Sequence, residues 1–222
     1  MSRGALSRLV YPPKCILCGK LLSRDEADLC HRCRKDTRPY PALKIKFSYV
    51  AGWRALWYYK DAVRSSILRY KFSGRRRQGA AFGRILAQCL KADETLSWDV
   101  MTWVPVSRRR KWRRGFDQVA LIAEAAAREL GCTAQPVIKK IRHVPPQSTL
   151  QNEAMRRANV LGAFAVTDPE AIRGKRILLL DDIITSGATV SECAKTLTIA
   201  GAGEVCCAAV AAANDQKSNK TM

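Results

Sequence analysis

The chain has 222 residues, 47% of them apolar, which gives room for one full α/β domain with a small appendage and enough material for a buried core. Its 39 Lys and Arg against 19 Asp and Glu leave a net charge of +20, a balance that attracts polyanions: nucleic acid, an anionic membrane surface or an acidic protein. The longest apolar stretches, Ile177 to Leu180 and Cys206 to Ala213, fall far short of the roughly 18–20 residues that span a bilayer, and Met1 to Val10 lacks the apolar core of a signal peptide, so a cytosolic protein with no membrane helix is expected.

The first organised segment is a cysteine module. Cys15-Ile-Leu-Cys18, eleven residues, then Cys30-His-Arg-Cys33 make two C-x-x-C knuckles, each placing two thiolates on one face of a tight turn. Four thiolates complete a tetrahedral zinc shell, and a stretch this short needs a metal to fold, so a structural zinc on Cys15, Cys18, Cys30 and Cys33 is expected, with His31 a bystander. Tyr11-Pro12-Pro13 leads in and Arg38-Pro39-Tyr40-Pro41 leads out, because closely spaced prolines discourage a continuous helix. The expected division is a four-cysteine zinc-binding module over 1–41, an α/β domain over 42–213 and a disordered tail over 214–222. Cys89, Cys132, Cys193, Cys206 and Cys207 have no ligand spacing and read as small buried hydrophobes in a reducing compartment.

Phe47 to Tyr59 reads as one or two strands, followed by a helix over Asp61 to Lys71, a loop at Gly74-Arg-Arg-Arg and a helix over 79–91 with Phe82, Ile85, Leu86, Cys89 and Leu90 on one face. Asp99 to Val106 is an apolar strand ending near Pro105. A basic loop follows, Arg108, Arg109, Arg110, Lys111, Trp112, Arg113 and Arg114, and then an Ala-rich amphipathic helix from Phe116 to Leu130 stopped by Gly131. Val137 to Ile141 and Ala163 to Val166 read as strands enclosing a polar segment, in which Ser148 and Gln151 suggest a capping box. Ile177 to Leu180 is a buried strand, Val190, Cys193, Ala194, Leu197 and Ala200 recur at helical spacing up to Gly201, and Val205 to Ala212 is the last strand.

Alternating strands and helices predict a Rossmann-like parallel sheet with helices on both faces, and such sheets bind ligands at the carboxyl ends of their strands. Two features fall there. Asp181 and Asp182 follow the strand directly, and adjacent carboxylates cannot both face inward, so at least one is expected at the strand's mouth, accepting hydrogen bonds from vicinal hydroxyls. Thr185-Ser186-Gly187-Ala188-Thr189 then forms a strand-to-helix turn whose free N–H groups and positive helix end suit a phosphate. A ribose 5-phosphate satisfies both halves. The Val104-Pro105-Val106-Ser107 turn, with Arg114 and the cations before it, faces that loop across the crevice and is the natural place for a diphosphate. Trp112 and Phe116 interleave with the same cations in a way that suits single-stranded DNA.

The stretch from Leu178 to Val190 resembles the phosphoribosyl pyrophosphate (PRPP) motif of type I phosphoribosyltransferases. That resemblance implies ribose binding by Asp181 and Asp182 and 5-phosphate binding by Thr185 to Thr189. Val104-Pro-Val with Arg114-Gly-Phe-Asp-Gln118, Pro146-Gln-Ser148 with Arg156-Arg157-Ala-Asn159-Val-Leu-Gly-Ala-Phe164, the PRPP motif and the two knuckles together resemble the ComF competence family over nearly the whole chain. The likeness implies a zinc ribbon fused to a phosphoribosyltransferase-like domain, linked to DNA uptake in natural transformation and so to DNA-uptake machinery proteins. Magnesium would accompany PRPP, and residues 143–159 could close as a hood. Asp117 departs from the Asn that the family usually shows after Gly-Phe. Three expectations follow: a DNA-uptake protein whose site binds PRPP, a phosphorylated nucleotide or the 5-phosphate end of single-stranded DNA; a catalytic phosphoribosyltransferase of nucleotide salvage; or a non-catalytic PRPP-sensing regulator.

Overall fold

The computed structural model describes residues 12–41, 46–142 and 153–213. In chain order the elements are α1 (His31–Asp36), β1 (Gly52–Tyr58), α2 (Asp61–Phe72), α3 (Arg77–Lys91), β2 (Val100–Trp103), α4 (Arg108–Arg114), α5 (Gln118–Leu130), β3 (Ile138–Lys140), α6 (Glu153–Val160), β4 (Phe164–Val166), β5 (Arg176–Ile184), α7 (Ala188–Ile199) and β6 (Glu204–Ala212). The capping box at Ser148 and Gln151, part of the expected hood and the 214–222 tail lie outside the described residues.

Four strands form a parallel sheet in the order β1-β6-β5-β2, as the strand–helix alternation predicts. Side chains alternate across it. Leu178, Leu180, Cys206, Ala208 and Val210 pack with Ile67 and Tyr70 of α2, Phe82 and Leu86 of α3 and Ile122 of α5. Ile177, Leu179, Val205, Cys207 and Ala209 pack on the other face with Val190, Cys193, Ala194 and Leu197 of α7. The four-cysteine module joins the first of these cores, because Ile16 and Leu17, between its first two cysteines, are 5% and 1% exposed and pack with α2 and α3 residues.

Several elements differ from the sequence reading. The expected strand over 99–106 shrinks to Val100–Trp103, since Pro105 has no N–H to continue a ladder. The segment 47–59 makes a single strand. The 108–114 run is a helix rather than a loop: Ser107 accepts from Arg110 N at its start, and Gly115 closes it with φ +74°. The next helix begins at Gln118, not Phe116, because Asp117 is its N-cap and accepts from the N–H groups of Val119 and Ala120 at 3.1 and 3.0 Å. β3 and β4 stand apart from the main sheet as an antiparallel pair.

Strand lengths place the site. β2 stops at Trp103, paired with Leu180, whereas β5 runs on to Ile184 beside β6. From Asp181 onward β5 therefore has a strand on one side only. The other side opens toward the Val104–Ser107 turn and α4.

Candidate functional site

Both aspartates lie within β5, and they project to opposite faces of the sheet. Asp181 is 8% and Asp182 5% exposed, so neither sits at an open mouth as the sequence suggests; the strand continues past them because β6 pairs with it through Ala212. On the α2 side, Lys71 Nζ lies 2.8 Å from Asp182 Oδ1, and Gln118 Nε2 donates to Oδ2 at 3.3 Å. Tyr70 O–H donates to the Gln118 carbonyl at 2.7 Å, tying α2 to the start of α5. Asp181 Oδ1 accepts from Asp182 N at 2.7 Å. Burial, and then the neighbouring Asp182 charge, pushes the Asp181 carboxyl up to about 8.

The hydroxyl turn follows at once. Thr185 and Ser186 lead into Gly187, which is the N-cap of α7 in the left-handed region at φ +75°, and Ala188 begins the helix with Thr189 in its first turn. Gly187 has no side chain to cap this helix end, which carries the positive partial charge of a helix start. Ser186 Oγ is buried with no hydrogen-bond partner among the described residues. The Phe47 ring covers Gly187 so closely that a Cβ there would overlap its Cδ1.

Across the opening, Val104, Pro105 and Val106 form the turn after β2, and α4 divides its cations between two faces. Arg110 and Arg114, four residues apart, are half-buried, whereas Arg108, Arg109, Lys111 and Arg113 are exposed, together with Trp112 at 87% exposure. The Arg114 guanidinium lies over the Phe72 ring at 5.2 Å, and its Nε and Nη1 are buried without a partner. Burial lowers the pKa of Arg114, and burial followed by the charges of Arg114 and Arg113 lowers that of Arg110. Lys140, on β3, is brought down to about 8 by burial and then by Arg110, with Asp181 acting the other way. Arg76 donates to the Gly115 carbonyl and lies 5.3 Å from the Phe116 ring, which joins the 75–77 cations to α4.

The expected ribose, phosphate and diphosphate residues thus converge at one end of the sheet. Lys71, Gln118, Lys140, Phe47 and Phe72 join them without having been singled out for the site. In the sequence Lys71 ends the expected helix over 61–71 and Gln118 ends the Arg114-Gly-Phe-Asp-Gln118 segment, but nothing in their spacing shows which acid they face.

At the other end of α2 the four N-terminal thiols gather. All four Sγ atoms lie within 4.8 Å of one another, and Cys18 and Cys30 are 3.7 Å apart. Tetrahedral thiolates at a zinc–sulfur distance of about 2.3 Å sit about 3.8 Å apart, so the donors fit that ion. His31 Nε2 bonds Asp25 Oδ2 at 2.8 Å, away from the thiols. Of the remaining cysteines, Cys193, Cys206 and Cys207 are buried as expected, but Cys89 is only half-buried and Cys132 is exposed, because it follows the Gly131 cap at the end of α5.

The Double zinc ribbon domain family matches residues 6–43, and the Phosphoribosyl transferase domain family matches residues 120–222. The chain is 29% identical to the DNA utilization protein YhgH of Escherichia coli K12, covering 89% of this chain and 96% of that one. It is 30% identical to the Competence protein ComFC of Streptococcus pneumoniae R6, covering 86% and 96%. Among solved structures, an adenine phosphoribosyltransferase from Thermoanaerobacter pseudethanolicus overlaps 81% of each chain at 18% identity with a TM-score of 0.37. No helix among the described residues is long and apolar enough to cross a membrane.

Proposed function

This chain belongs to the ComF family of competence proteins, and from that premise we propose that it binds PRPP or a phosphorylated nucleotide with magnesium and assists the uptake of single-stranded DNA in natural transformation. The charge balance around the acid pair supports this most. Lys71, Arg110, Arg114 and Lys140 surround Asp181 and Asp182, and two Arg114 nitrogens are buried without a partner. Cations held out of water beyond the available counter-charge favour a polyanionic ligand, because it offsets their desolvation.

In this reading Thr185, Ser186, Gly187, Ala188 and Thr189 hold the 5-phosphate at the start of α7, and the Ser186 hydroxyl gains a partner. Asp181 and Asp182 take the ribose hydroxyls. Val104, Pro105, Val106 and Arg114 take the diphosphate, and the outer face of α4 takes nucleic acid. Asp181 and Asp182 would hold the magnesium, which would supply positive charge against the diphosphate. The ribbon's zinc is structural. The names carried by the relatives, DNA utilization and competence proteins, support the DNA side.

Calorimetric titration with PRPP and magnesium tests the reading. Wild type should bind, and Asp181→Ala combined with Asp182→Ala should abolish binding; unchanged affinity in that double variant would show that the acid pair is not the ribose site. The intact acid pair also supports a second reading, catalytic phosphoribosyl transfer in nucleotide salvage. Turnover of PRPP with any of a panel of bases would favour it.

A further inference from the structure

Lys71 is a half-buried cation beside the acid pair to which the scheme above assigns no part of the ligand. It stands in the last turn of α2, its side chain is 15% exposed, and its ammonium lies 2.8 Å from Asp182 Oδ1. In a part-buried pair of this kind the buried Asp182 carboxylate is costly to leave without its cation. The next residue, Phe72, carries the Arg114 guanidinium on its ring at 5.2 Å. Lys71 and Arg114 therefore reach Asp182 from the same side of the sheet, one already paired and the other with two buried nitrogens unpartnered.

A diphosphate arriving at Arg114 would bring like charge close to Asp182, and a mobile cation between them would relieve that repulsion. A lysine suits the task. Its compact ammonium sits on a flexible four-carbon stem, so it can change partner without moving its helix. Gln118 would keep its own hydrogen bond to Asp182 Oδ2 throughout, so the carboxylate would not be stranded.

We propose that Lys71 is an exchanged counter-ion: it holds Asp182 before ligand arrives and turns to the diphosphate beside Arg114 when PRPP binds, releasing Asp182 for the ribose hydroxyls and magnesium. The inference rests on the reading of this site as a PRPP site.

Calorimetry with two ligands, PRPP and ribose 5-phosphate, each with magnesium, separates the possibilities. Lys71→Gln keeps a donor toward Asp182 but removes the charge, so PRPP affinity should fall about tenfold or more, as expected for a lost charged hydrogen bond, while ribose 5-phosphate affinity falls far less. Lys71→Arg should recover most of the PRPP affinity. Equal losses for both ligands would mean that Lys71 only props Asp182, and unchanged PRPP affinity would mean that it never reaches the diphosphate; either result overturns the inference and leaves the PRPP reading standing.

A second measurement does not depend on the Lys71 variants folding. Asp182→Asn removes the carboxylate that competes for Lys71, so inorganic diphosphate should bind it several-fold more tightly than wild type, and unchanged or weaker binding counts against the exchange. Failure of wild type to bind either PRPP or ribose 5-phosphate would instead remove the PRPP reading and this inference with it.

Discussion

Gly187 holds the hydroxyl turn by shape. Its φ of +75° costs an L-residue about 1–2 kcal/mol, and a Cβ would overlap the Phe47 ring. Gly187→Ala should therefore lower the melting temperature by several degrees and weaken ribose 5-phosphate binding, since Phe47 must move off the start of α7. Adding Phe47→Ala should relieve the overlap but not the backbone strain, so the double variant should recover part of the loss. Full ligand affinity in Gly187→Ala would show that the turn does not hold the phosphate. At this scale the sequence exposes residues that are neighbours along the chain: two acids, two hydroxyls, a glycine and a threonine read together as a site. It hides Lys71 and Phe47. Lys71 is 111 positions from Asp182, and an ion pair at that separation is made only by folding α2 against the end of β5.

α4 shows what an element adds to a list of charges. The sequence reads its six cations, interrupted only by Trp112, as a loop, yet Ser107 and Gly115 supply both caps, and helical spacing sends Arg110 and Arg114 inward and Arg108, Arg109, Lys111 and Arg113 outward. This changes the expected DNA behaviour. Six phosphate contacts would give a log affinity against log salt slope near −4 for a single strand, but four outward cations give about −3. Replacing Arg108, Arg109 and Arg113 with alanine should bring the slope close to −1. Trp112→Ala should cost about 1–3 kcal/mol from a lost stacking platform without altering the slope. Fluorescence titrations over a salt series check each of these values. No binding at low salt would remove DNA from the function of this helix, and loss of PRPP rather than DNA in the triple variant would assign the outer cations to the diphosphate. The strand ends were likewise legible only in outline, because where β2 stops and β5 continues depends on the neighbour each one pairs with.

For the whole molecule, prolines near residue 41 mark a boundary in the sequence that the packing crosses. Ser66 of α2 donates to the Ile16 carbonyl and Arg69 to the Leu17 carbonyl, both within the first knuckle, while Arg84 of α3 pairs with Asp28. Two residues beyond Arg69 on the same helix stands Lys71, with its ammonium on Asp182. The cysteine module is thus clamped to the helix that reaches the acid pair. Its loss should be felt there, which a separately folded appendage would not predict. Metal analysis should give about one zinc per chain, in keeping with the single four-cysteine cluster among the described residues. Cys15→Ser should lose that zinc, because three thiolates leave the shell incomplete, and folding free energy drawn from the metal goes with it. One cooperative unfolding transition should move to lower temperature, and PRPP affinity should fall although no ligand-facing residue has changed. Two separate transitions, with PRPP binding intact in the zinc-free protein, would mean that the clamp transmits nothing. Full zinc and unchanged melting in Cys15→Ser would refute the four-thiolate site itself.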